Sequence, residues 1–362
     1  MNKAISALLI IALFLVFDLP HPAFADAAFP LTVTDLKGRQ VTFAAPAKRI
    51  VALRGALGTV CYMQLCDQVV GVEDLEARPL EWLGSVGRSY RLAHPQLGEL
   101  PIIGSRNQPD PERLLAVKPD VIFAGSGDVR FANNLQQKTG TPVLFVDNGD
   151  LADRRSKFYQ SLRLIGTVCG REQRAEQIIK RIDLAVTDLR QRVQNIPEKP
   201  SVYVGGMNFR VAHGLTGTSA AYPPFLLLDI NNIADSAQAN ENSVKGRFLI
   251  DAETLLKADP ETLFICESGL ELALQDLKKP IYRHMKAVVN RRVFGVVPHY
   301  YAASPDTVLA ETYYMGTVLF PEQFADIDVP AMADDWYRFF VGKPLYAEMF
   351  RIFGGFRPIE AN

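Results

Sequence analysis

The chain has 362 residues, 48% hydrophobic and 22% charged, with a formal net charge of -1. That is enough material for two domains with a sizeable core. The balanced charge leaves no footprint for nucleic acid or for an anionic membrane surface, so neither is expected as a partner.

Taken in order, the chain opens with a secretory signal pattern. Lys3 supplies the positive start, Ala7 to Phe17 is a run of eleven apolar residues, and Ala23-Phe24-Ala25 is a small-residue cleavage site. Eleven apolar residues are too few to span a bilayer, and no later stretch is longer. The mature chain is expected to begin at Asp26, in a bacterial periplasm. No cysteine stands beside the cleavage point, which argues against a lipid anchor. The four cysteines are Cys61, Cys66, Cys169 and Cys266. An oxidising compartment permits disulfides among them in three pairings, buried thiols are equally consistent, and their spacing matches no zinc or redox motif.

Leu31 to Phe43 alternates around Lys37-Gly38 and predicts a hairpin. Short apolar runs at 49–53, 69–72, 101–104, 121–124 and 143–146 predict strands, with helices at 57–65, 111–117, 129–139 and 156–168 between or after them. Residues 73–81 read as a loop. Strands alternating with helices imply a parallel sheet covered on both faces. Arg171 to Ile196 then predicts one helix, roughly 39 Å long at 1.5 Å per residue. Ala175, Ile178, Ile179, Ile182, Val186, Leu189 and Val193 form an apolar stripe at three-or-four spacing, and charged residues fill the other face. After Pro200 the alternation restarts. Strands are expected at 202–204, 262–265 and, as the last, 293–297; helices at 224–229, 251–256, 280–285, 307–319 and 332–340.

The two halves share a pattern. Glu112-Arg-Leu-Leu-Ala-Val-Lys-Pro119 leads to Phe123, and Glu253-Thr-Leu-Leu-Lys-Ala-Asp-Pro260 leads to Phe264 at the same offsets. The expected architecture is therefore α/β, with two Rossmann-like lobes joined by the long helix and a ligand cleft between them. The divisions read as 1–25 signal, 26–168 first lobe, 169–197 bridging helix, 198–329 second lobe and 330–362 a helical extension.

In such sheets ligands bind outside the carboxyl ends of the strands. The residues following the predicted strands include Arg54, Ser126, Met207, His299, Tyr300 and Tyr301, and nearby loops add Arg88, Tyr90 and Tyr222. Arginine forks recognise carboxylates or phosphates, and tyrosines offer flat apolar faces with a polar tip. The mixture suits an anionic organic ligand or a metal chelate. No nucleophile motif, phosphate loop or dinucleotide fingerprint is present, so an exported enzyme or metal-loading protein is the less favoured reading. His94, His213, His284 and His299 are scattered, with no pair at helical ligand spacing. The glycine-rich turn from His213 to Ser219, followed by Tyr222-Pro223-Pro224, is expected to open onto the cleft.

Arg49-Ile-Val-Ala-Leu53, Val69-Val-Gly-Val72, the Glu112–Asp120 and Glu253–Pro260 segments, Cys169-Gly-Arg-Glu172, and Ala287-Val288 through Phe294 occur in a recognisable order. Together they resemble the solute-binding proteins of bacterial ABC importers for iron-siderophores, haem and cobalamin, over roughly Val33 to Asp328. The resemblance implies two α/β lobes on one rigid helix, no prosthetic group, and a monomer that captures an iron chelate and docks on a permease dimer. Haem, cobalamin or a metal oxyanion such as molybdate or tungstate is the alternative cargo. Glu112 and Glu253 are the positions implied for permease docking. Two departures stand out: Arg54-Gly55 replaces small polar residues, and the tail beyond Asp328 is longer than usual.

Overall fold

The computed structural model describes residues 28–79, 87–209, 211–237, 246–298 and 304–360. The signal segment and His299, Tyr300 and Tyr301 lie outside the described residues.

The chain begins with an antiparallel hairpin, β1 (Leu31–Thr34) and β2 (Gln40–Phe43). The first lobe follows: β3 (Ile50–Leu53), α1 (Leu57–Tyr62), β4 (Val69–Gly71), α2 (Ser89–Ala93), α3 (Pro111–Val117), β5 (Val121–Ala124), α4 (Val129–Thr139), β6 (Val143–Phe145) and α5 (Arg155–Cys169). Its sheet has the order β4-β3-β5-β6, all parallel. The strand expected at Pro101–Gly104 is reduced to isolated bridges from Ile102 and Gly104. The loop expected after Val72 contains a 3-10 turn at Asp74–Ala77.

α6 (Glu172–Val193) is the long helix. It leads into β7 (Ser201–Gly205), β8 (Gly217–Ser219), α7 (Pro223–Leu227), β9 (Asn231–Asn232), α8 (Ile233–Ser236), β10 (Arg247–Leu249), α9 (Ala252–Ala258), β11 (Thr262–Cys266), α10 (Leu270–Leu277), α11 (Lys286–Val289), β12 (Val293–Val296) and α12 (Pro305–Leu319). The tail adds α13 (Val329–Val341), α14 (Tyr346–Phe353) and β13 (Arg357–Pro358). The second sheet has the order β13-β12-β11-β7-β9. All its pairings are parallel except β13 on β12. The strand ending at residue 296 is thus not the last: the tail returns to close that sheet edge.

The inner strands of both sheets are buried on both faces, which explains their unbroken apolar runs. Ile50, Ala52, Val121 and Phe123 face one core, while Val51, Leu53, Ile122 and Ala124 face another. In the second sheet Val202, Val204 and Phe264 join the first core, and Tyr203, Leu263 and Ile265 face a third. The shared core runs through the stripe of α6, where Ile178, Ile182 and Leu189 have no exposed surface. Burial of each such aliphatic side chain stabilises the fold by roughly 1.5–3 kcal/mol. The two α/β lobes are therefore joined by a helix inserted in their common core.

The repeated segments fold alike. Asp110 and Asp251 cap α3 and α9 by accepting main-chain N–H groups, and each helix ends on a left-handed residue, Lys118 or Asp259. Glu112 and Glu253 occupy the same position in the first turn and are exposed. Neither caps its helix, since the aspartates do so.

Cys61, in α1, and Cys66, just beyond it, form a disulfide, and Cys169 and Cys266 are free and buried. Among the described residues no helix is long and apolar enough to cross a membrane.

Candidate functional site: a cationic cleft between the lobes

A cleft of about 730 Å³ opens between the lobes. The first lobe supplies the ends of its strands: Arg54 and Gly55 after β3, Gly125, Ser126 and Gly127 after β5, and Val146 to Asp150 after β6. The second lobe supplies Met207 after β7, the Ser219–Pro223 segment between β8 and α7, and Gly246-Arg247 at the start of β10. The cleft is at the carboxyl ends of parallel strands in both lobes, where αβ crossovers leave loops free to diverge.

Its charge is uneven. Lys37, Arg54, Arg106, Arg154, Lys157 and Arg247 line it against Asp147, Asp150 and Asp153. Arg154 is neutralised by an ion pair with Asp147. Asp150 is turned to its own loop, accepting the Ala152 and Arg154 amides at 2.9 Å each. Asn148 reaches past β5 to the end of β3, donating to the Gly55 carbonyl at 2.9 Å and accepting from Thr59 at 2.8 Å. This wall is thus tied down before any ligand arrives.

Arg54 donates through Nε to the Arg106 carbonyl at 3.2 Å. Its guanidinium lies 3.6 Å from the centre of the Phe131 ring. Partial burial pulls its pKa down, with Glu73 opposing; an arginine stays charged at any pH near neutrality. Tyr222 is almost fully buried and donates its hydroxyl to Glu311 Oε2 at 2.9 Å. Burial, then the Glu311 charge, push its pKa well above the ordinary value. It therefore stays a neutral phenol, offering an edge and an oxygen rather than a phenolate.

Of the residues expected at the site, the structure brings Arg54, Ser126, Met207 and Tyr222 to this cleft. Arg88 and Tyr90 are placed differently. Both are buried and turned to Glu76, which is 3% exposed. Arg88 pairs with its carboxylate, and Tyr90 donates to Oε1 at 3.0 Å. Arg91 adds a bond to the Glu76 carbonyl at 3.1 Å. A carboxylate inside a lobe draws cations and hydroxyls inward, and this cluster is the result. His299, Tyr300 and Tyr301, also expected at the site, lie outside the described residues. His213 bonds the Phe209 carbonyl at 3.1 Å and lies tilted against the Phe209 ring, 4.3 Å between centres, while the end of its turn, from Ser219, reaches the cleft.

Arg106, Arg154, Lys157 and Arg247 were not expected there: Arg106 lies in a loop, Arg154 and Lys157 at the start of α5, and Arg247 at the start of β10, none of them marked by a predicted strand end. Sequence reasoning also missed the two carboxylates behind the walls, Glu73 and Glu311. Among the described residues no group of three or more His, Cys, Asp or Glu side chains converges to hold a metal ion. The arrangement can hold an anion or a complex that brings its own ligands to a metal.

Two α/β lobes on one helix, with a ligand cleft between them, define a solute-binding protein. Residues 81–300 match the periplasmic binding protein family, and the chain belongs to that family. It is similar to the molybdate-binding protein MolA of Haemophilus influenzae, at 22% identity over 347 residues, covering 90% of this chain and 94% of that protein. The solved structure of MolA with molybdate has the same fold, with a TM-score of 0.67 and 19% identity over 87% of this chain and 98% of that one. YvrC of Bacillus subtilis, an uncharacterized ABC transporter substrate-binding lipoprotein, is 23% identical over 305 residues, 82% of this chain and 88% of that protein. The iron-uptake system-binding protein of Bacillus subtilis is 24% identical over 200 residues, 53% of this chain and 59% of its own. The chain is a binding protein of the ABC-transporter class and not an enzyme.

Proposed function

We propose that this protein is exported by a cleaved signal, captures an anionic iron chelate of the siderophore kind, and delivers it to an ABC permease dimer. The observation that carries this reading is the excess of fixed cations over carboxylates in a cleft of about 730 Å³. That volume is of the size that takes an organic ligand, and it is generous for a bare tetrahedral oxyanion. The walls offer guanidinium and ammonium donors but no converging metal ligands among the described residues, which suits a metal already coordinated. The relative named for iron uptake points the same way. Arg54, Ser126, Met207 and Tyr222 are the residues assigned to the ligand, with Arg106 and Arg247 added; Glu112 and Glu253 are assigned to the permease.

A second reading, a metal oxyanion such as molybdate, is favoured by two observations. The likeness to MolA covers nearly the whole chain, and the aromatic residues lining the cleft among those described are Phe145 and Tyr222, both almost wholly buried. Haem or cobalamin would need broader aromatic walls than these. Mass spectrometry of material carried through native purification, followed by calorimetric titration, separates the cargoes. Iron with an organic ligand is the expected result. Molybdenum or tungsten without one would replace the first reading with the second.

A further inference from the structure

Arg54, on the cleft wall, has φ +57°, in the left-handed region that disfavours residues with a side chain. The surroundings are built to hold it there. Its amide donates to Glu73 Oε1 at 2.7 Å, and Glu73 is 3% exposed. The guanidinium is gripped by the Arg106 carbonyl and lies flat on Phe131, and Nη1 reaches the Ser126 carbonyl at 3.4 Å. A β-carbon on Gly127 would stand 2.8 Å from Nη1, so the bare glycine is the space that the guanidinium occupies.

A buried carboxylate is an expensive acceptor for one main-chain amide. A carbonyl would satisfy that amide equally well if only the turn mattered. The carboxylate does more, because it attracts the guanidinium of the same residue and raises the cost of turning the peptide away; burial works against it, raising the pKa of Glu73. Were Arg54 to relax to an extended backbone, its Cα–Cβ bond would leave the seat formed by Phe131 and Gly127. The geometry points to Glu73 as a positioning residue for ligand capture: it locks the left-handed peptide of Arg54 and so fixes where the guanidinium stands in the cleft. This rests on the anionic cargo proposed above.

The test uses the mature full chain as wild type, Glu73→Ala, Glu73→Gln, Arg54→Ala and the double variant. Ferric citrate and sodium molybdate are titrated in parallel by calorimetry, and the arginine Nε–H signals are followed by nitrogen-15 NMR without ligand. The Arg54 signal, assigned by its loss in Arg54→Ala, is expected to be resolved and slow to exchange. In Glu73→Ala it should merge with the exposed arginines, and affinity for the probe that binds should fall about tenfold. Glu73→Gln, which keeps an acceptor, should recover part of both. The double variant should bind no worse than Arg54→Ala. An unchanged Nε–H signal in a folded Glu73→Ala protein overturns the proposal, as does an equal loss of affinity with and without Arg54. If Glu73→Ala does not fold, Glu73→Asp carries the same test, since its carboxylate falls one methylene short of the amide. Binding of neither probe to wild type would sink the anionic cargo, and the NMR arm would still decide the role of Glu73.

Discussion

Asp306 is the group whose replacement tests the packing between the lobes most directly. It opens α12 in the second lobe, has no exposed surface, and meets Ser89 of α2 in the first. Ser89 Oγ donates to Oδ2 at 2.5 Å, and the Thr307 amide donates to Oδ1 at 2.8 Å. Burial raises its pKa from 3.8 to about 6, with the Ser89 and Thr307 bonds pulling the other way. Two units correspond to about 3 kcal/mol. The folded state holds this proton more tightly than the unfolded chain does. Its contribution is therefore fully present below about pH 4 and is lost as pH rises through about 6. Asparagine is nearly isosteric and does not ionise; its carbonyl can keep the Thr307 bond, and the Ser89 hydroxyl can turn to accept from its amide. Urea denaturation of wild type and Asp306→Asn between pH 4 and 7.5 should show the variant gaining roughly 2–3 kcal/mol relative to wild type across that range. Parallel stability curves would refute the reasoning, because they would mean that Asp306 ionises at no cost in its buried site.

Ile182 has no exposed surface and belongs to the core that both lobes share, so Ile182→Ala should cost about 2–5 kcal/mol in the same denaturation assay; a loss below about 1 kcal/mol would mean that the helix is not inserted as described. The Cys61–Cys66 disulfide closes a short loop, with a sequence separation of 5, and replacing both cysteines by alanine should cost about 2 kcal/mol by chain entropy, read as a lower midpoint in urea. Glu112 and Glu253 are exposed and their side chains cap neither helix, so Glu→Arg at both should leave ligand affinity and melting temperature unchanged while cutting uptake in cells that carry the cognate permease. Normal uptake would remove the docking assignment.

What could be read from the sequence was what periodicity encodes. The stripe of α6 was visible because a helix buried along one face must repeat every three or four residues, and the same holds for the buried strands. The strand-end rule found Arg54 and Ser126 because the chain returns to one rim of the sheet after each strand. It failed at Arg88 and Tyr90, where a buried partner at Glu76, 12 and 14 residues back with no periodic relation to them, decided which way the side chains turned. Arg247 reaches the cleft only through the β8–β10 ribbon, a two-stranded pairing with no strong local pattern. Glu73 and Glu311 were hidden for a related reason: a charged residue inside a fold looks, in sequence, like any charged residue on its surface.

The polar face of α6 is the other place where residue type misleads, and it bears on how the lobes move. Charged residues fill that face. Two of its arginines nonetheless hold the tail, and a third holds the segment just before it. Arg174 donates to the Tyr62 carbonyl at 3.0 Å and to the Phe339 carbonyl, with its guanidinium 4.5 Å from the Phe339 ring centre. Arg181 pairs with Asp335 and lies over Trp336 and Phe339. Arg192 bonds Asp326 at 2.6 and 2.9 Å and the Gln323 carbonyl at 2.7 Å. Arg174 is mostly buried with carbonyls as its hydrogen-bond acceptors, and burial brings its pKa down to about 10; it still carries its charge at neutral pH, at a desolvation cost that its position explains. From one side chain it ties α1 of the first lobe to α6 and to α13 of the tail. α13 in turn packs on α12 of the second lobe and on α1 and α2 of the first, and the chain then returns to the second sheet as β13. The lobes are thus connected twice, by a helix through their common core and by a second helix laid across both. A wide opening would have to bend α6 and also strip α13 from one lobe, losing the Trp336, Tyr337 and Phe340 packing. A small rocking about the helix needs neither, so it is the motion that this fold permits.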